Sequence, residues 1–309
     1  MPKHSDPPKP AVAIVGAGRL GRALAIALGE SGYSVRALVA RRASEAQKAA
    51  GLVSQTTEPI QALGLKDLEK LAPTGLTLIT TPDDAIEQTA QNLAVLEKRR
   101  ANLKPGKTRG RIVLHTSGAL SSVVLSPLAE LGFHTGSLHP LVSVSDPRSG
   151  AEDLRGAFYC VEGDRVATKL AQRIIGDFGG KSFSIAPASK ALYHAAALTA
   201  AGHLTALIDL AMEMLASCGL SRSAAQKVLM PLVESAVHNL KNSPPEKALT
   251  GTFARGDVAT VRRHLEALSG DEHAEALKVY KLLGLRSLRL AGKKGIDDKV
   301  LQKIRTLLK

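Results

Sequence analysis

The feature that most constrains the fold is the glycine-rich run Gly16-Ala17-Gly18-Arg19-Leu20-Gly21. The five residues before it, 11–15, are all apolar and are typical of a strand, while the residues after it have the apolar spacing of a helix. In this context Gly16 permits a tight turn, Gly18 lets a phosphate group approach the backbone, and Gly21 lets the helix pack closely on the strand. The run therefore predicts the phosphate-binding turn of a dinucleotide-binding βαβ unit, in preference to a plain strand–turn–helix.

The order of the predicted elements places the chain in the α/β class. Short β-rich runs alternate with helical patterns up to residue 186, which indicates βαβ units and a parallel sheet. After Pro187 the strand-like runs stop, and Ala- and Leu-rich segments with helical periodicity follow. We expect a Rossmann-type doubly wound sheet in a domain of residues 10–186, then an all-helical domain of residues 187–309 for substrate binding or dimerisation. The predicted strands are 11–15, 34–39, 76–80, 111–115, 136–139, 158–161 and 182–185.

A pair of arginines follows the second predicted strand. In sites that bind NAD, an Asp or Glu at this point contacts the ribose 2′-hydroxyl. This sequence has Ala40-Arg41-Arg42 there instead. Because guanidinium groups match the geometry of a phosphate and stay charged, the pair favours the 2′-phosphate of NADP(H) over NAD(H). The alternative is a solvated basic turn.

The net charge of +13 favours anionic ligands, which include phosphorylated cofactors and nucleic acids. Nucleic-acid binding is the weaker interpretation, because the chain has no Trp, few other aromatic residues to stack on bases, and no long basic run. The histidines and cysteines have none of the spacings typical of a metal site, so we expect no metal. These observations favour a small-molecule substrate as the partner.

The distribution of apolar residues bears on location and assembly. The N-terminus is polar and rich in proline, so we expect a cytoplasmic protein without a membrane anchor. The most apolar stretch, residues 195–220, contains His203, Asp209 and Glu213, which are costly in lipid; we expect a core helix there. The small residues of 195–202 would let a helix of a second copy approach closely, which predicts a homodimer.

Polar residues follow three predicted strands at the sheet edge where α/β proteins bind their ligands. Thr81 and Pro82 would border the ribose and nicotinamide, unless Asp83 only caps a helix there. Ser117 could donate a hydrogen bond to a carboxylate or carbonyl oxygen of a substrate, or form a simple Ser/Thr turn. His139 could donate a proton to a carbonyl or imine; the alternative is a structural histidine.

The first helical segment after Pro187 carries two further candidates. Lys190 and His194 are four residues apart and share a helix face, whereas the adjacent Tyr193 is expected to point elsewhere. The alternatives are a solvated Lys and a capping His. We expect Lys190 or His194 to line one interdomain cleft with Ser117 and His139, continuous with the glycine-rich run.

A later segment, residues 250–257, joins two predicted helices and combines glycines with hydroxyl groups and a guanidinium. Thr252 and Arg255 could bind an anionic substrate there, with Arg255 making bidentate contacts to a carboxylate. The alternative is a turn in which Asp257 caps the helix that begins at Val258 and pairs with Arg255.

Four motifs occur together in the order typical of a known family. They are His-Thr-Ser-Gly-Ala at 115–119, Leu-His-Pro-Leu at 138–141, Leu-Tyr-His-Ala-Ala-Ala at 192–197 and Leu-Thr-Gly-Thr-Phe-Ala-Arg-Gly-Asp at 249–257. With them the chain resembles, over nearly its whole length, the Rossmann-like proteins that carry domain of unknown function 2520. That family is similar in architecture to pyrroline-5-carboxylate reductase, ketopantoate reductase and the β-hydroxyacid dehydrogenases. The sequence departs from its relatives at 200–203, where it has Ala-Ala-Gly-His in place of a pattern close to Ala-Ser-Asn.

The resemblance implies an NADP-dependent reductase whose helical domain builds a dimer. In the β-hydroxyacid dehydrogenases, a Lys with a polar residue four positions later supports catalysis, which points to Lys190 and His194. We therefore expect hydride transfer between NADP(H) and a small, anionic carbonyl or imine compound, with His139, Lys190 or His194 as the proton donor. The alternative is a non-catalytic NADP(H) sensor or assembly protein, because one fold hosts many functions.

Overall fold

The computed structural model describes residues 8–53, 59–103 and 110–309. The chain divides into two compact units, Met1–Ala201 and Gly202–Lys309. This division falls one helix later than the boundary expected at Pro187, because Lys190, on the helix that follows, is buried in the first unit. The first unit thus contains the sheet and one helix that the sequence pattern assigned to the second domain.

An eight-stranded sheet forms the centre of the first unit. Its strands are β1 Val12–Val15, β2 Val35–Ala40, β3 Gln61–Gly64, β4 Leu76–Ile79, β5 Ile112–His115, β6 His134–Pro140, β7 Phe158–Gly163 and β8 Lys181–Phe183. They lie side by side in the order β3-β2-β1-β4-β5-β6-β7-β8, and every pair is parallel except β6 with β7. The expected Rossmann-type α/β class is confirmed. The sequence pattern does not predict β3, which is too short to show alternation, or the antiparallel direction of β7, which composition does not encode.

Helices cover both faces of this sheet. The side chains of β1 alternate, so that Val12 and Ile14 belong to one apolar cluster while Ala13 and Val15 belong to another. Apolar residues on both faces are required of a strand that is covered on both sides. The helices of the first unit are α1 Arg19–Glu30, α2 Ala43–Ala50, α3 Asp83–Leu103, α4 Ser126–Ala129, α5 Pro147–Asp153, α6 Arg165–Asp177 and α7 Lys190–Ala200.

The second unit is helical throughout its length, as the sequence pattern predicts. Its small apolar core includes Val261, Leu288 and Ile304. The helices are α8 Gly202–Ser217, α9 Arg222–Asn242, α10 Pro245–Ala248, α11 Gly251–Arg255, α12 Val258–Ala267, α13 Ala274–Lys293 and α14 Asp298–Leu307. Short 3₁₀ turns of both units are Leu65–Lys70, Ser122–Leu125, Pro187–Ser189 and Asp271–His273.

The apolar segment Pro187–Ser217 is largely exposed. By length and composition alone it could cross a membrane, with a mean hydropathy of 1.4, but only 6% of its most apolar part is buried. On α7, for example, Leu192 is 77% exposed. The expectation of a core helix at 195–220 is therefore wrong for the single chain. Hydropathy depends only on the composition of a helix, so it does not show whether other parts of the chain cover that helix.

Close packing between the glycine-rich run and the end of β4 depends on two glycines. Gly16 has a φ of +116°, and a Cβ there would lie 2.6 Å from backbone atoms of Thr80 and Thr81. At Gly21, in the first turn of α1, a Cβ would overlap the carbonyl oxygen of Gly16 and lie 2.6 Å from Oγ1 of Thr80. The packing expected of these two glycines agrees with the structure.

We predict that Gly21→Ala destabilises the first unit, although alanine normally favours a helix over glycine. The added Cβ must displace the Gly16 carbonyl, and such overpacking costs about 1–3 kcal/mol. The matched control is Gly176→Ala on α6, where a Cβ meets nothing within 4 Å and should stabilise by up to about 1 kcal/mol. Urea unfolding measures both variants, and an equal change in their free energies of unfolding would contradict this packing.

Candidate functional site

The glycine-rich run leads directly into the first turn of α1. Gly18 precedes the helix, and its position provides no side chain to cap the N–H groups of that turn. A Cβ on Gly18 would meet nothing within 4 Å, so the backbone borders open space. Free N–H groups at a helix N-terminus carry a partial positive charge and bind phosphate groups. This loop therefore fits the pyrophosphate of a dinucleotide.

Two hydroxyl groups follow β4. Oγ1 of Thr80 donates a hydrogen bond to the carbonyl oxygen of Gly16 at 2.5 Å, which ties the end of β4 to the loop. Oγ1 of Thr81 is buried and has no hydrogen-bond partner among the described residues. A buried hydroxyl of this kind costs free energy unless a ligand or water satisfies it. Asp83 is the first residue of α3, in the first turn of that helix.

Arg41 and Arg42 directly follow β2, beside the glycine-rich run. The carbonyl oxygen of Val39 accepts hydrogen bonds from the N–H groups of Gly16 at 2.8 Å and Ala17 at 3.1 Å, which holds the end of β2 against the loop. Both arginine side chains are exposed, and Arg42 lies 3.4 Å from Glu45 in an ion pair. Two guanidinium groups are thus available at the position where a ribose 2′-substituent is recognised in related folds.

Lys190 is buried at the junction of α7 with β5 and β6. The residue is 1% exposed, and Nζ donates hydrogen bonds to Oγ of Ser137 at 2.8 Å and to the carbonyl oxygen of Ser117 at 3.1 Å. Burial lowers the pKa of Lys190. The solvated lysine that the sequence left open is therefore wrong, and Lys190 instead joins the helix to the segment after β5 and to the middle of β6.

Ser117 forms the simple Ser/Thr turn that the sequence left open as the alternative to a contact with substrate. Its Oγ accepts hydrogen bonds from the N–H groups of Ala119 at 3.1 Å and Leu120 at 3.0 Å. Because the hydroxyl only accepts in these two bonds, its own proton stays available to a ligand. The N–H of Ser117 donates to Nδ1 of His115 at 3.2 Å; burial, followed by the charge of Lys190, lowers the pKa of His115 to about 4.

Two imidazole rings, those of His139 and His194, lie 5.6 Å apart between their centroids. Burial is the main cause that lowers the pKa of His139 to about 4, and the positive charge of Lys190 is the next. His139 is therefore neutral at physiological pH. Nδ1 of His194 is buried without a hydrogen-bond partner among the described residues. His194 lies in the second turn of α7, so the interpretation as a helix-capping residue is wrong.

Tyr193 belongs to this group, although the sequence analysis placed it elsewhere. Its hydroxyl lies 2.7 Å from Nδ1 of His139. The expectation is wrong because positions three and four residues after Lys190 both share its helix face, so Tyr193 and His194 point the same way. The spacing alone could have revealed this.

Gly118 is a site residue that the sequence analysis did not single out. A Cβ on Gly118 would overlap Nδ1 of His194 and lie 2.7 Å from Nε2 of His139. Both imidazoles thus pack directly against this glycine, where no side chain would fit. The only signal in the sequence is a glycine directly after the serine that follows β5.

One open cleft lies within the first unit, at the carboxyl ends of the parallel strands. The cleft has a volume of about 990 Å³ with its open mouth included, which suits a cofactor and a small substrate. It brings together residues 18–20, 80–83, 116–118, 139–140 and His194. Lys190 lies behind this surface. In the described part of the chain, no group of three or more His, Cys, Asp or Glu side chains is placed to hold a metal ion.

Thr252 and Arg255 belong to the second unit. Both lie in α11, which ends at Gly256 in the left-handed conformation. Asp257 then caps α12 and accepts a hydrogen bond from the N–H of Thr260 at 3.0 Å, as the alternative interpretation of this segment expects. A role of Thr252 and Arg255 in binding an anionic substrate stays a prediction.

Comparison with known families matches two models to the chain. A Rossmann-like domain matches residues 2–140, and the domain of unknown function DUF2520 matches residues 157–287. The resemblance inferred from the four sequence motifs is therefore confirmed. No curated protein matches the sequence.

Solved structures share this fold at low sequence identity. A protein of Bacteroides fragilis, BF3122, assigned as an NADP oxidoreductase, has a TM-score of 0.71 at 20% identity, covering 90% of this chain and 98% of its own. Protein TM1727 of Thermotoga maritima has a TM-score of 0.67 at 21% identity, covering 92% and 99%. A pyrroline-5-carboxylate reductase of Coxiella burnetii has a TM-score of 0.53 at 11% identity, covering 96% and 98%. The chain thus has the fold of NAD(P)-dependent reductases.

Proposed function

We propose that this chain, a Rossmann-like protein carrying DUF2520, is an NADP(H)-dependent oxidoreductase that acts on a small, anionic carbonyl or imine compound. The observation that carries the proposal is the single cleft in which residues 18–20 of the phosphate loop adjoin His139 and His194. The bound cofactor would supply or accept a hydride there. The fold relatives include a protein assigned as an NADP oxidoreductase and a reductase named for a cyclic imine carboxylate, which agrees with this reaction class.

The preference for NADP(H) rests on the end of β2. Gly18 and the first turn of α1 would hold the pyrophosphate, and Thr81 offers an unpartnered buried hydroxyl in the same cleft. Arg41 and Arg42 stand where an NAD site would place an acid. Two exposed guanidinium groups at that point favour a 2′-phosphate over a 2′-hydroxyl.

The cleft residues would divide the chemistry among them. His139, which is neutral, would donate a hydrogen bond to the carbonyl oxygen or imine nitrogen and so polarise it. His194, which is half-buried and lines the cleft, would exchange the proton with that atom as the hydride is transferred. The hydroxyl of Ser117 would donate a hydrogen bond to an anionic group of the substrate. Lys190 is too deeply buried to touch substrate, and it would position the carbonyl of Ser117 and helix α7.

The exposed apolar helices support a homodimer as the working state. In the second unit, α8 and α9 expose apolar side chains that include Leu207 and Leu232, the latter 67% exposed. An apolar surface of this kind marks an interaction site. We propose a second copy as its occupant, because the chain also exposes small residues within 195–202, at the end of α7 and the start of α8, that allow identical helices to approach closely.

For the cofactor, we predict that NADPH binds more tightly than NADH and that Arg41→Ala combined with Arg42→Ala removes most of the difference. Losing a guanidinium paired with phosphate costs about 1.5–3 kcal/mol, roughly ten- to a hundredfold in affinity. The matched control replaces another adjacent, exposed pair, Arg262 and Arg263 on α12, by alanine. It removes the same charge and should keep the preference. Calorimetric titration measures all three proteins, and equal affinities of the parent protein for NADPH and NADH would refute the proposal.

For catalysis, the test is NADPH oxidation by the purified protein against a panel of small keto acids, imines and aldehydes. With an active substrate, we predict that His194→Gln lowers kcat by about a hundredfold while the Kd for NADPH stays nearly unchanged. The control is His134→Gln at the opposite end of β6, which should keep full activity. Tight NADPH binding without turnover on any compound would instead favour the non-catalytic sensor.

For assembly, we predict that light scattering at micromolar concentration gives twice the chain mass of 32.5 kDa. Leu232→Glu should shift the protein to the monomer, because a buried carboxylate without a partner is strongly destabilising at an interface. Val123→Glu, at a 70% exposed position of the first unit, is the control and should stay dimeric. A monomeric parent protein would contradict the proposal.

A further inference from the structure

Tyr193 connects helix α7 to the histidine at the end of β6. Its hydroxyl lies 2.7 Å from Nδ1 of His139, and the two rings meet edge to face at 5.5 Å between centroids. The tyrosine ring also contacts Phe183, with 5.8 Å between the ring centroids. The ring of Tyr193 thus packs against side chains of both β6 and β8.

The protonation states of the pair are set by their surroundings. Burial raises the pKa of Tyr193, so the hydroxyl keeps its proton. Burial and the charge of Lys190 keep His139 neutral, and the other titratable rings that face it, His194 and His115, act in the same direction. On the neighbouring strand β7, Cys160 stands opposite His139 in register, and burial raises the pKa of its thiol.

A neutral imidazole carries one proton, so the direction of the hydrogen bond decides which nitrogen has it. The hydroxyl proton of Tyr193 requires an acceptor, and the choice is between Nδ1 of His139 and the sulfur of Cys160. Sulfur is a weak acceptor, whereas an unprotonated imidazole nitrogen is a strong one. Tyr193 therefore donates to Nδ1, and the proton of His139 is on Nε2, the nitrogen that faces Gly118 and the cleft.

We infer that Tyr193 is a positioning residue that holds neutral His139 in the tautomer protonated on Nε2, the ring nitrogen next to Gly118. The catalytic consequence, a fixed donor for the substrate oxygen or nitrogen, rests on the proposed function. The tautomer itself is a property of the free protein. Tyr193 thus acts on substrate only through His139. Its hydrogen bond to one ring nitrogen determines that the proton lies on the other nitrogen.

The test is nitrogen NMR of the full chain labelled with ¹⁵N-histidine, at neutral pH and without ligand. His139→Gln identifies the His139 signals by their loss. We expect the proton on Nε2, and an Nδ1 signal with the shift of a hydrogen-bonded acceptor. In Tyr193→Phe this signal should move to the shift of an acceptor without a hydrogen bond. With an active substrate, kcat should fall by about tenfold or more while the Kd for NADPH is unchanged.

The chain contains a matched control. In the second unit, the hydroxyl of Tyr280 lies 2.8 Å from Nδ1 of His264, with the rings also edge to face. Tyr280→Phe makes the same chemical change, and it should alter only the His264 signals and leave kcat as it is.

Two results would overturn the inference. One is a proton on Nδ1 of His139 in the parent protein, which needs no variant and so does not depend on the folding of Tyr193→Phe. The other is an unchanged His139 spectrum in Tyr193→Phe. Because both are read in the free protein, they decide the inference even if the substrate panel refutes the proposed function.

Discussion

The candidate site depends on one buried interaction, in which the ammonium group of Lys190 joins the segment after β5 to the middle of β6. A buried charge is costly unless its donors are paired, and Nζ finds the carbonyl oxygen of Ser117 and the hydroxyl of Ser137. Since Lys190 is the first residue of α7, these bonds set where the helix begins and how it is rotated. Tyr193 and His194, one turn later on the same face, then reach His139.

Four glycines shape the cleft because they have no side chain, and they do so in different ways. Gly16 and Gly21 let the loop, the helix and the end of β4 come closer than any Cβ would allow. Gly18 leaves an opening in front of the helix N-terminus, where an anion can meet free N–H groups. Gly118 lets two imidazoles pack directly against the backbone, where a Cβ would overlap them. Of these four glycines, only Gly18 borders open space that a ligand can occupy.

The parts of the fold and site that follow from local patterns could be predicted from the sequence. The glycine-rich run, the strand ends and the change of pattern at Pro187 require only neighbouring residues, and they lead to the Rossmann-type sheet and to most of the residues that line the cleft. The pairing of Tyr193 with His139 could not be derived this way, because it joins residues 54 positions apart. Gly118 could not be identified from the sequence, because its contribution to the site is that it has no side chain. The burial of Lys190 could not be predicted, because lysine is normally solvated and its hydrogen-bond partners come together only in the tertiary structure.

Two identical side chains, His139 and His194, thus acquire different properties from their positions. His139 lies on a strand, close to the charge of Lys190 and bonded to Tyr193, and its pKa of about 4 keeps it neutral. His194 lies on the helix that closes the same space, half-buried and with an unpartnered ring nitrogen. Polarisation of a bond needs a donor that keeps its proton, and a neutral imidazole is such a donor. The surroundings of His139 therefore suit the polarising role proposed for it, whereas the proton exchange proposed for His194 rests on its place in the same cleft.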